Sequence, residues 1–155
     1  MQLIVMRHGV AEVGEPGKDE DRALTGAGKK RTHQVVRGLM TVVPKVNTIL
    51  SSPLVRARQT AEIVAEHFKA RVEIDESLRP GGEATVVLSR RAAMTTVMVG
   101  HEPDLSELIG SLLGGERQSV VVLKKAGCVL LRVERADRAK LVWALTPKLL
   151  RRLGK

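Results

Sequence analysis

Apolar residues along this chain fall into short unbroken runs separated by stretches with helical spacing. The first run, residues 3–6 (Leu-Ile-Val-Met), is apolar without alternation and stops at Arg7, His8 and Gly9. Continuous apolar character over so few residues marks a strand buried on both faces, as in a parallel sheet. Short β-branched runs predict further strands at 46–50, 72–74 and 95–99. Two more, at 128–134 and 140–145, flank the polar turn Arg135-Ala136-Asp137-Arg138 and read as a hairpin. Between these lie helical patterns. One runs from Thr25, its predicted cap, to about Met40, with Val35, Val36 and Leu39 on one face. Another follows Ser51-Ser52-Pro53, where serine is the cap and proline the first helical residue, and extends to about Phe68. A third spans 83 to about 93, and a fourth opens at Asp104, which pairs with Glu107 in a capping-box pattern. Residues 12–21 and 78–82 carry glycine, proline and charge and read as loops.

Strands alternating with helices through two-thirds of the chain predict an α/β domain, a three-layer α/β/α sandwich with a mostly parallel central sheet. No internal repeat or linker divides it, so residues 1–155 form one domain. Open sheets of this kind bind ligands beyond the carboxyl ends of their strands. Arg7-His8-Gly9, Ser51-Ser52-Pro53 and Gly100-His101 all fall at such ends, which predicts that they converge on one crevice.

Composition narrows the classes. Phe68 and Trp143 are the only aromatic residues, so the core is aliphatic and lacks the stacking platforms that single-stranded nucleic acid needs. The formal charge of +9 points to an anionic partner: nucleic acid, a phosphorylated protein or a phosphate ester. The densest basic clusters are Lys29-Lys30-Arg31 and Arg90-Arg91, both inside predicted helices, and Arg151-Arg152, so no dedicated nucleic-acid arm is visible. Cys128 stands alone, which excludes an intrachain disulfide and suggests a reducing compartment. No apolar run approaches the roughly 20 residues of a membrane span, and the first residues do not read as a leader. A cytoplasmic location is expected.

The strand-end residues suit one chemistry. A neutral imidazole is a good nucleophile toward phosphorus and forms a phosphoramidate that hydrolyses again. Planar arginine neutralises phosphoryl oxygens through paired hydrogen bonds, and glycine permits close backbone approach. Arg7, His8 and Gly9 offer these in three consecutive positions. The helix after Pro53 presents free N–H groups to an anion, and Arg56, in its first turn, leans back toward the same point. Arg58 lies about 200° around that helix, so at most one of the two faces the crevice. His101, at a strand end, is placed to hold a phosphate oxygen. His33 and His67, inside helices, read as structural.

Together these segments resemble the histidine phosphatase superfamily, most closely its small SixA-type phosphohistidine phosphatases. The matching motifs are Met6-Arg7-His8-Gly9 with Ala11, and Asp21-Arg22-Ala23-Leu24-Thr25 with Gly28. Ser51-Ser52-Pro53 follows, with Arg56-Ala57 and Gln59-Thr60-Ala61, and then Val99-Gly100-His101-Glu102-Pro103 and Leu123-Lys124-Lys125-Ala126-Gly127. The resemblance implies that His8 is the nucleophile, that Arg7 and Arg56 clamp the phosphoryl group, and that His101 completes the pocket, with Arg22 beside it. It implies no metal and no cofactor, and the sequence contains no ligand cluster for one. Relatives place a carboxylate near the phosphate as an acid. Glu83 is the candidate, although it reads equally as a helix-opening acid favoured by the dipole. Asp19, Glu20 and Asp21 read as solvated loop charges, with a smaller chance of substrate contact. The expected partner is a phosphorylated protein or a small phosphate ester. The alternatives are a monoester phosphatase of the same superfamily and a non-catalytic phosphate- or phosphoprotein-binding module.

Overall fold

The computed structural model describes residues 1–90 and 94–155, and within them every predicted strand joins one six-stranded sheet in the order β3-β2-β4-β1-β5-β6. Strands β1 (Gln2–Arg7), β2 (Thr48–Ser51), β3 (Arg71–Ile74) and β4 (Thr95–Gly100) are parallel. The hairpin of β5 (Cys128–Arg135) and β6 (Arg138–Leu145) adds two antiparallel strands beyond β1. Four helices cover the sheet: α1 (Gly26–Val42), α2 (Val55–Phe68), α3 (Asp104–Gly114) and α4 (Pro147–Leu153).

The unbroken apolar run of β1 is explained by the two cores it separates. Ile4 and Met6 pack with Val35, Val36 and Leu39 of α1, Ala57, Ala61 and Val64 of α2, and Leu150 of α4. Leu3 and Val5 point the other way and pack with Leu105, Leu108, Ile109 and Leu112 of α3. All four β1 side chains are fully buried, so period-2 alternation carries no polar face here. The architecture is the three-layer sandwich.

Local differences have local causes. Thr25 caps α1 as predicted, accepting from Gly28 N–H at 2.8 Å. Helix α2 begins at Val55 rather than Pro53, and its capping residue Leu54 has no side-chain cap. Ser52 is held instead by the sheet, its N–H donating to Val99 O, and its hydroxyl lies 2.7 Å from His101. At α3, Asp104 and Glu107 form no capping box. The Glu102 carboxylate accepts the Ser106 N–H at 2.9 Å, while Asp104 accepts from Gly81 N–H. Residues 84–90 form a 3₁₀ helix rather than an α-helix. Residues 91–93 of that predicted segment, with Arg91 of the basic pair, lie outside the described residues.

Helix α4 was not predicted, although Thr146 caps it through Leu149 N–H and Pro147 opens it. It docks so tightly on α1 that a β-carbon on Gly38 would sit 1.7 Å from the Leu150 carbonyl oxygen. Gly38→Ala should therefore cost about 2–3 kcal/mol of stability, as overpacked sites do. Urea unfolding of the variant beside the wild type measures this, and a loss below about 0.5 kcal/mol would show that α4 can retreat freely.

Candidate active site

The register of the sheet assembles the site. Arg7 of β1 lies opposite Gly100 of β4, and Ser51 of β2 opposite Val99. One residue further, His8 N–H donates to Gly100 O and Ser52 N–H to Val99 O. His8, His101 and Ser52 are thus neighbours because each follows the last paired residue of three adjacent strands. The two imidazole rings stand 5.2 Å apart, tilted by 51°.

Packing then buries them. The Gly9 N–H donates to Thr60 Oγ1 of α2 at 3.0 Å, and a β-carbon at Gly9 would fall 2.5 Å from Thr32 Oγ1 of α1. The missing β-carbon of Gly9 lets α1 approach, and its amide pairs with Thr60 of α2. With those helices in place His8 is 5 % and His101 3 % exposed.

Burial sets the protonation states. His8 Nδ1 lies 2.7 Å from the carbonyl oxygen of Gly9, an obligate acceptor, so Nδ1 carries the proton and Nε2 keeps its lone pair. Desolvation pushes the His8 pKa down to about 3, the Gly9 bond opposes this, and His101, Arg56 and Arg7 push further downward. His101 falls to about 4, again chiefly through burial, with Arg56 next. Its Nε2 is 2.7 Å from Ser52 Oγ, and its Nδ1 is buried without a partner. A Ser52 hydroxyl donating to Nε2 leaves the proton on Nδ1, free to point at an incoming oxygen.

Arginines complete the arrangement. Arg56, 5 % exposed, donates through Nε to His8 Nε2 at 3.3 Å, the atom with the lone pair. Arg58, two residues on, is exposed, as the helical spacing requires. Arg7 donates from Nη1 to the Leu123 carbonyl at 3.2 Å, and its buried Nε has no partner. Unpaired buried donors cost about 1–3 kcal/mol each.

Asp19 is what reading the sequence underweighted. Its carboxylate accepts from Arg56 Nη2 at 3.1 Å and from Arg22 Nη1 at 3.0 Å, and its carbonyl accepts from Arg56 Nη1 at 2.8 Å. The Arg22 bond, followed by Arg56, holds the Asp19 carboxyl below the ordinary carboxylate range, so it is ionised at neutral pH. Arg22 also donates to the Glu12 carbonyl, so it reaches the site by bracing Asp19. Glu83 is placed elsewhere. It is largely exposed, 3.9 Å from Arg117, in a cleft shared with Asp104 and Glu107. Among the described residues no group of three or more histidine, cysteine or acidic side chains is disposed to hold a metal.

The two buried imidazoles link stability to pH. Unfolded, each takes up a proton near pH 6.5, whereas the folded protein refuses it until about pH 4 for His101 and about pH 3 for His8. The unfolded state therefore binds more protons as pH falls below 6.5, and stability should drop by up to about 1.4 kcal/mol per pH unit for each imidazole. Urea unfolding at pH 7 and pH 5 should show this drop in the wild type and a shallower one in His8→Gln. Equal slopes would place the charged imidazole in the folded site.

Comparison with known proteins gives the same grouping. Residues 3–81 match the family model of the histidine phosphatase superfamily (branch 1). The phosphohistidine phosphatase SixA homolog of Haemophilus influenzae is 32 % identical over 129 residues, covering 74 % of this chain and 78 % of that protein. Phosphohistidine phosphatase SixA of Escherichia coli is 25 % identical over 155 residues, covering 95 % and 94 %. Among solved structures, the protein histidine phosphatase SixA complexed with tungstate superposes with a TM-score of 0.86 at 23 % identity, over 97 % of this chain and 99 % of that one. The sheet order, the strand-end histidines and these matches agree, and the chain belongs to the histidine phosphatase superfamily, branch 1.

Proposed function

We propose that the protein is a phosphohydrolase acting through a phosphohistidine on His8, with phosphohistidine on a protein as its substrate. The observation that carries this reading is the state of His8: a buried neutral imidazole whose unprotonated Nε2 faces Arg56, with Arg7 Nε and His101 Nδ1 left as unpartnered buried donors. A phosphoryl group seated there has a nucleophile on one side and three donors for its oxygens. The His8 Nε2 lone pair forms the new N–P bond while the P–N bond of the substrate, its ring protonated on the other nitrogen, breaks, and the electron pair stays on an imidazole that leaves neutral. Water then attacks phospho-His8, releasing inorganic phosphate and restoring the Nε2 lone pair.

Two features favour a phosphorylated protein over a small ester. A substrate imidazole already protonated on its other nitrogen leaves neutral and needs no further acid, which suits a site whose Arg56-paired Asp19 is ionised and whose Glu83 lines a cleft with Asp104 and Glu107. The second feature is the +9 formal charge, which suits an acidic partner protein.

Incubation with a phosphohistidine protein and a panel of phosphate monoesters tests the reading. Wild type should turn over the phosphoprotein and carry an acid-labile, base-stable phosphoryl label, and His8→Ala should lose both activity, by at least about 10³-fold, and label. Full activity in His8→Ala would overturn the mechanism, and efficient ester hydrolysis without phosphohistidine turnover would favour a small-ester phosphatase.

Asp19 acts through Arg56, as a positioning residue. Asp19→Asn should lower kcat/KM about tenfold in the wild type and have almost no further effect in an Arg56→Ala background. Additive losses would show that Asp19 works independently of that guanidinium.

A further inference from the structure

The opposite end of α1 carries a second basic site. From Gly28, which packs at the strand end, to Arg37 is nine residues, about 14 Å along the helix. There Arg37 faces α4 and the residues after it across a cleft of about 440 Å³, lined also by Lys148, Arg151, Arg152 and Lys155. Gln34 and Gly154 complete the lining, which contains no acidic residue. Close backbone packing draws these charges together, since β-carbons on Gly38 and Gly154 would collide with the opposing segments.

None of the five cations forms an ion pair among the described residues. Elsewhere Arg22, Arg56, Arg79 and Arg117 each meet a carboxylate. The helix dipole accounts for Arg151 and Arg152, in the last turn of α4. It does not account for Lys148, in the first turn, where a cation is disfavoured, nor for Arg37, contributed by another helix. Lys148, Arg151 and Arg152 also stand at i, i+3 and i+4, where like charges repel.

We infer that this cleft between α1 and α4 binds a compact oligophosphate, several linked phosphate groups that its arginines and lysines surround from two elements. Guanidinium groups grip phosphate oxygens in pairs. The cations converge around one volume rather than lining a track, which fits a compact polyanion better than an extended acidic peptide. No aromatic side chain lines the cleft to stack a base, so the phosphates alone are recognised. The site is separate from the phosphatase reaction and stands whether or not that reading of the catalytic end holds.

Calorimetry with tripolyphosphate, at roughly 150 mM salt and in a His8→Ala background that blocks turnover, tests it. A site is expected whose affinity is weakened at least about tenfold by Arg151→Ala with Arg152→Ala and, separately, by Arg37→Ala on the exposed face of α1, and unchanged by Arg56→Ala. Circular dichroism confirms that each variant is folded. Loss of binding in Arg56→Ala alone would assign the ligand to the catalytic crevice and overturn the inference. So would equal affinity for a hexaglutamate peptide, or no tripolyphosphate binding below about 1 mM.

Discussion

The site rests on the pairing of β1 with β4. Arg7 lies opposite Gly100, and the next hydrogen bond, from His8 N–H to Gly100 O, is the last contact between the two strands. That bond puts two histidines from distant parts of the chain side by side at one sheet edge. A one-residue slip would turn every β1 side chain to the other face, exchanging the Ile4/Met6 and Leu3/Val5 cores and carrying His8 away from His101. The two cores therefore enforce the register, and the register forms the dyad. Gly9, Thr32 and Thr60 then close α1 and α2 over the strand end. Burial makes His8 neutral, and neutrality is what leaves a lone pair on Nε2.

The same burial creates a charge problem that the loop before α1 solves. Arg56 is as buried as His8, and an isolated guanidinium there would be costly. Asp19 meets two of its nitrogens, and Arg22 holds Asp19 in place. The third, Nε, stays turned to His8 Nε2. The acidic turn is thus a fixed counter-ion that orients the arginine without taking the donor that chemistry needs.

Much of this was legible in the sequence because burial on both faces leaves so plain a mark. Run 3–6 is wholly apolar, runs 46–50 and 95–99 mix apolar residues with β-branched threonine, and the punctuation at their ends located His8, Arg56 and His101. Resemblance to the superfamily supplied roles for them but could not place Asp19, whose importance comes from a loop folding back on a helix 37 residues away. Misreadings arose where one side chain had two competing uses. Ser52 looks like a helix cap but is committed to β4 and His101. Asp104 and Glu107 have capping-box spacing, yet Glu102, whose reach depends on the preceding turn, does the capping. Glu83 allows both an acid and a helix-opening reading, and it stands just ahead of the 3₁₀ helix at 84–90, exposed and 3.9 Å from Arg117. Helix α4 is too short for periodicity to reveal, and only Thr146-Pro147 announces it.

Charge is distributed by the same logic at both ends of α1. At the catalytic end each arginine is partly satisfied, and the donors left over, Arg7 Nε and His101 Nδ1, are buried and few, as suits a single phosphoryl group held tightly and released. At the far end the cations are solvated, numerous and without carboxylates, so their cost is mutual repulsion rather than desolvation. A small acidic turn could have neutralised them, as residues 19–21 do beside Arg56 and Arg79. Instead, close packing at Gly38 and Gly154 concentrates them. Part of the +9 charge is therefore organised rather than scattered, gathered at the strand-end crevice and at the cleft between α1 and α4.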